Sequence, residues 1–91
     1  MRIVWDEPKR RANFATHGLD LADAEMFGWE NALVLPGHPG QDGRPRYRAI
    51  GWLRGDLVTL VFSPLGAEAI SVISLRRASR AERKLYEKTI T

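Results

Sequence analysis

Apolar and polar residues alternate with a period of two over much of the second half of the chain, and turn-forming residues interrupt the alternation at a few places. Such a pattern predicts half-buried strands. "RYRAIGWLRGDLVTLVFS" (46–63) reads as a β-hairpin, turning at Arg54-Gly55 or Gly55-Asp56. "LGAEAISVISLRRA" is a further strand, and "RIVW" and "NALVLPG" supply two short ones. Helical signals take over elsewhere. "DEPKRRANFATHG" opens on acidic residues and Pro8 and stops at Gly18, which suits a left-handed C-cap. Asp20 can cap a second helix, "LADAEMFGWE", with Leu21, Ala24, Met26 and Phe27 on its apolar side. Ser79 and Glu82 have the S-x-x-E spacing of a capping box at the start of the closing helix, "SRAERKLYEK". "PGHPGQDGRP" (36–45), dense in Pro and Gly, is a loop. The resulting order is β-α-α-β-β-β-β-α. It describes one α+β domain over residues 1–91, a small antiparallel sheet with two N-terminal helices and one C-terminal helix packed on one face.

Composition narrows the function classes. A chain of 91 residues with 44% apolar residues can support one modest core, burying roughly 60–65% of the surface its unfolded state exposes. It has no cysteine, so neither a disulfide framework nor a thiolate metal site is available, in keeping with a reducing cytoplasm. The N-terminus lacks a signal-type apolar stretch, and no apolar run reaches membrane-spanning length. A cytoplasmic location follows as an expectation. No spacing of metal ligands, Gly-rich phosphate loop or nucleophile elbow is present, so no cofactor is expected.

Charge is segregated more than it is abundant. The net charge is +3, and 14 basic residues face 11 acidic ones. Acidic residues alone occupy 20–30 (Asp20, Asp23, Glu25, Glu30), and arginines alone occupy 44–54 (Arg44, Arg46, Arg48, Arg54). Arg76, Arg77, Arg80, Arg83, Lys84 and Lys88 gather at the final strand and helix. Arginine forks onto phosphates and stacks on bases, so this distribution favours a polyanionic partner.

Alternation places Arg46, Arg48, Ile50, Trp52 and Arg54 on one face of their strand. They could form a bed for single-stranded RNA, or Ile50 and Trp52 could face helices while the arginines fringe the sheet. Arg76 shares a face with Ile70, Val72 and Ser74, while Arg77 shares the other with Ile73 and Leu75. The helix beginning just after this pair makes the junction a candidate phosphate site, unless Arg76 simply pairs with Glu82. Lys9, Asn13 and His17 line one stripe of the first helix. His17 could transfer protons, or serve the helix end as a structural residue. His38, in the Pro/Gly loop, reads as solvated. Tyr86 is either core or a face for a nucleotide.

Three segments together resemble the BrnT-type toxins of bacterial type II toxin–antitoxin systems. Trp5, Asp6, Lys9, Asn13, His17 and Gly18 fit W-D-x-x-K-x-x-x-N-x-x-K-H-G. Arg46, Tyr47, Ile50 and Gly51 fit R-[FYW]-x-x-I-G. Ile73, Ser74, Arg76, Ala78, Ser79, Glu82 and Tyr86 fit I-S-x-R-x-A-[ST]-x-x-E-x-x-x-Y. The resemblance implies a fold similar to RelE-type ribonuclease toxins and a metal-independent endoribonuclease that blocks translation. It also implies a BrnA-like antitoxin that neutralises the toxin and reaches operator DNA, and leaves room for a dimer or a larger complex with that antitoxin.

On this reading Arg76 and Arg46 stabilise the phosphate in the transition state. Arg48, Arg77, Arg80, Lys84 and Trp52 bind flanking RNA. His17 serves as acid or base, with Glu82 or Tyr86 as substitutes. Thr16 and Pro45 stand where the family carries Lys and Glu, and they support the alternative of a non-catalytic RNA- or partner-binding module.

Overall fold

A computed structural model describes residues 1–90. Nine elements follow one another: β1 (Arg2–Val4), α1 (Glu7–His17), two short 3₁₀ segments (Leu21–Met26 and Trp29–Asn31), β2 (Leu33–Pro36), β3 (Tyr47–Leu53), β4 (Asp56–Leu65), β5 (Ala69–Arg77) and α2 (Arg80–Ile90). The strands form one sheet in the order β1-β5-β4-β3-β2.

Local signals set the helix ends. Asp6 caps α1 by accepting from the Lys9 amide, and Gly18 closes it at φ 70°. The acidic stretch after it is 3₁₀ helix instead of the expected α-helix. Its buried residues Leu21, Ala24 and Phe27 recur every three positions, the repeat that three residues per turn bring onto one side. Arg10 ties the two regions together, its guanidinium donating to both oxygens of Asp20 at 2.7 and 2.9 Å.

The sheet is mixed, whereas alternation alone predicted an antiparallel one. β1 lies parallel to β5 (Ile3 opposite Ile70), because the chain crosses over the whole domain before returning to it. The other three pairings are antiparallel. β3 and β4 are joined at Arg54-Gly55, both at positive φ (49° and 83°), which gives the twist that hairpins favour.

Helices cover both faces of the sheet, not one as expected. On the first face Leu21, Ala24 and Phe27 pack on Ala49, Leu53, Val58, Leu60, Val72 and Leu75. On the second, Tyr86 of α2 packs on Ile50 and Leu57. A β-bulge makes this division possible. Val61 pairs with Ser74 and Phe62 with Val72, leaving Ile73 as an extra residue in β5. Simple alternation would join Arg76 to Ile70 and Val72. Past the bulge, Ser74 and Arg76 face α2 instead, while Ile70, Val72 and Leu75 remain in the first core.

α1 lies along the outer edge of β5 beyond the end of β1. There Asn13, buried among mostly exposed helical neighbours, takes the place of a missing strand. Its amide nitrogen donates to the Leu75 carbonyl at 2.9 Å, and its oxygen accepts from the Leu75 amide at 3.1 Å. The same nitrogen donates to the Leu19 carbonyl. None of the described helices is long and apolar enough to cross a membrane.

Candidate active site

The site is built around Glu82, whose side chain is only 5% exposed. The capping box is present as expected: the Ser79 amide donates to Glu82 Oε1 at 2.8 Å, and the Glu82 amide donates to Ser79 Oγ at 3.1 Å. The carboxylate accepts much more besides. Arg76 grips it with both arms, at 2.7 and 3.0 Å. Arg48 donates at 2.9 Å and the Thr59 hydroxyl at 2.9 Å. Three strands and one helix thus meet at a single carboxylate.

These donors, the Arg76 guanidinium foremost, hold Glu82 well below the usual carboxylate range against the opposing effect of burial. Arg76 is correspondingly pushed up by Glu82. A carboxylate saturated in this way clamps two guanidinium groups and is unsuited to taking up a proton. Two arginines against one carboxylate still leave an excess of one positive charge, fixed in place.

Arg46 stands beside this cluster under different conditions. Among the described residues, no carboxylate lies within ion-pair distance of it. Its carbonyl accepts from the Gly37 amide at 2.8 Å, extending the β2–β3 ladder by one step. Its guanidinium lies over Gly40, where a Cβ would come within 2.7 Å of the Arg46 Nη2 atom. The loop keeps this shape through its own hydrogen bonds, Gly40 to Arg44, Gly43 to Gly40, and the Arg44 amide to the Asp42 carboxylate.

Arg46, Arg48 and Arg76 together line an open groove of about 720 Å³, along with His38 and Ser74. A shallower groove of about 300 Å³ runs beside α1, lined by Lys9, Thr16 and His17. The two meet, since Arg46 and Ile73 line both. The Asn13–Leu75 clip fixes α1 against β5 and so holds the Lys9–His17 stripe at this junction.

Four of the ten candidate residues therefore converge on the grooves: Arg46, Arg48, Arg76 and His17, with Glu82 beneath them. The rest lie elsewhere. The Tyr86 ring is buried and its hydroxyl donates to the Asn31 carbonyl at 2.9 Å, which makes it core. Trp52, 44% exposed, sits edge-on against Tyr86 toward the opposite end of β3. Arg77 lies at the far side of the strand end, 3.8 Å from Asp56. Arg80 and Lys84 are exposed on α2, turned away from the inward pair Glu82 and Tyr86 by helical periodicity.

Sequence reasoning missed Thr59 and Gly40; His38, read as solvated, is exposed and lies on the lining of the larger groove. Thr59 sits opposite Arg76 through strand register, which the order of residues does not disclose. The Pro/Gly loop reads only as irregular until its return onto Arg46 is seen.

The family model described as "Ribonuclease toxin, BrnT, of type II toxin-antitoxin system" matches residues 5–82. The crystal structure of the Brucella abortus ribonuclease toxin BrnT superposes with a TM-score of 0.70. Its sequence is 46% identical, and the alignment covers 88% of this chain and 99% of that one. No curated protein matches the chain. A family model that matches most of the chain, together with this structural relative, settles the assignment: this chain belongs to the BrnT ribonuclease toxin family of type II toxin–antitoxin systems.

Proposed function

We propose that this chain is a metal-independent endoribonuclease that cleaves single-stranded RNA in the arginine groove and thereby inhibits translation. The observation that carries the reading is Arg46. Among the described residues its guanidinium has no carboxylate partner, and it is held in an open groove beside a clamped Arg48–Arg76 pair with charge to spare. Cleavage by the adjacent ribose hydroxyl builds negative charge on the phosphate, and fixed cations lower that barrier without needing to reorganise. Arg46 and Arg76 face the reacting phosphate, Arg48 supports them, and Glu82 keeps the pair in position. His17, in the adjoining groove, is the candidate proton donor. Arg77, Arg80, Lys84 and Trp52, which lie outside the groove, are left to flanking RNA or to a partner. Family membership implies an antitoxin; a BrnA-like protein that covers the basic surface and carries the pair to operator DNA fits this design.

One observation favours a second reading, binding without cleavage. Thr16 lines the α1 groove at a position where the family motif has Lys. Incubating purified protein with single-stranded RNA in EDTA, with Arg46→Ala alongside, separates the two. Cleavage lost in the variant supports the nuclease, whereas tight binding without cleavage supports the second reading.

A further inference from the structure

We propose that His38 is the proton acceptor for the attacking ribose hydroxyl, an inference that rests on the nuclease reading above. With His17 assigned as proton donor, elimination among the residues that line the larger groove leads to it. Arginine does not give up its proton in proteins, so Arg46, Arg48 and Arg76 cannot serve. Glu82 is buried beneath them and its oxygens are engaged by Arg48, Thr59, Arg76 and the Ser79 amide. Ser74 is not a base near neutral pH, and the other lining residues are apolar or glycine. His38 carries the one imidazole among them, the side-chain type suited to accepting a proton and passing it on.

The backbone that carries it is located by Gly37 and Gly40. Gly37 donates its amide to the Arg46 carbonyl, and Gly40 lies directly against the Arg46 guanidinium. The segment that carries His38 is therefore hydrogen-bonded to Arg46 at Gly37 and passes close to its guanidinium at Gly40, next to the cation that would hold the phosphate. The charged groups around His38 are Arg46 and Arg48 from β3, Arg76 from β5, and Asp42 from its own loop, whose carboxylate also approaches Gly40.

The step balances without a co-reactant. The ribose 2′-oxygen bonds to phosphorus as its proton passes to an imidazole nitrogen of His38. The bond from phosphorus to the 5′-oxygen breaks, and that oxygen takes a proton from His17 or from water. The products are a 2′,3′-cyclic phosphate and a free 5′-hydroxyl.

The test uses the full chain and a DNA oligonucleotide carrying a single ribonucleotide, read as single-turnover rate against pH. His38→Ala and His38→Gln should both lower the rate by roughly 10²–10⁴-fold, with oligonucleotide affinity within about twofold of wild type. The acidic limb of the pH profile should vanish, and added imidazole should restore activity to His38→Ala. A substrate with sulfur as the departing 5′ atom needs little acid assistance, so it should leave the defect in place. Wild-type cleavage matched by both variants would overturn the assignment while leaving the nuclease intact. Rescue by the sulfur substrate would also overturn it, by making His38 the acid. Absence of cleavage by wild type would instead bring down the nuclease reading itself.

Discussion

Arg76 and Glu82 meet through two parallel hydrogen bonds, across six residues that turn a strand into a helix. The contact locks the strand–helix junction, and Arg48 and Thr59 tie the neighbouring strands to the same carboxylate. Removing the charge therefore loosens the junction and leaves two guanidinium groups uncompensated.

Glu82→Gln should destabilise the fold by about 2–4 kcal/mol, somewhat under the 3–5 typical of a fully buried pair because both arginines reach solvent. Arg48→Ala, which removes the more exposed partner, should cost about 1 kcal/mol or less. Urea unfolding of the three proteins checks both values.

The same carboxylate sets an acid limit on stability. Glu82 is held below its ordinary value of 4.5 in the fold, so its contribution is complete above that pH. It is lost as pH falls toward the depressed folded value, because the unfolded chain takes up the proton first. The stability gap between wild type and Glu82→Gln should accordingly narrow between pH 5 and about pH 3. Asp20, likewise depressed by Arg10, acts with the same sign in both proteins and does not alter their difference. Urea midpoints measured across this range test the sign.

Gly40→Ala should separate activity from stability. The added Cβ would come within 2.7 Å of Arg46 Nη2 and 2.8 Å of Asp42 Oδ1, both ends of flexible side chains that can move aside. Stability should change by less than about 0.5 kcal/mol, as for ordinary surface substitutions. RNA cleavage should fall at least tenfold as Arg46 is displaced. Thermal unfolding and a cleavage assay on one preparation would show it.

Gly51→Ala should do the reverse. Its Cβ would meet Phe27 Cζ at 2.7 Å and Ala32 Cβ at 3.3 Å, inside the first core. Overpacking of this kind costs about 1–3 kcal/mol, and activity per folded molecule should be retained.

Asn13→Ala should lower stability by about 2–4 kcal/mol, since it strands the amide and carbonyl of Leu75 at a buried edge. It should also reduce hydrogen-exchange protection at Leu75 before that of the β3–β4 ladder.

Much of the fold was legible in local chemistry. Asp6, Gly18, Ser79 and Glu82 announce helix ends, Arg54-Gly55 announces a hairpin, and each acts over a few residues. What escaped depends on distant partners. The parallel placement of β1 beside β5 is decided by the crossover of the whole chain. Asn13 is only one position on a helical stripe until β5 supplies a carbonyl and an amide 62 residues away. The arginine-rich face of β3 was visible, but its division between the groove and Trp52 was not. That division depends on α2 lying between them, with Glu82 toward one end and Tyr86 toward the other.

The bulge in β5 has a consequence for chain length. Without Ile73, the ladder would run regularly from Phe62–Val72 to Val61–Ser74, with Leu75 still facing the first core and Arg76 still facing Glu82. A strand of eight residues would satisfy both faces of the sheet. The ninth is surplus to the pairing, and it stands where the two grooves join. Ile73 is a groove residue inserted into a strand, and shortening β5 by that one position would change the surface offered to a ligand while leaving the architecture behind it in register.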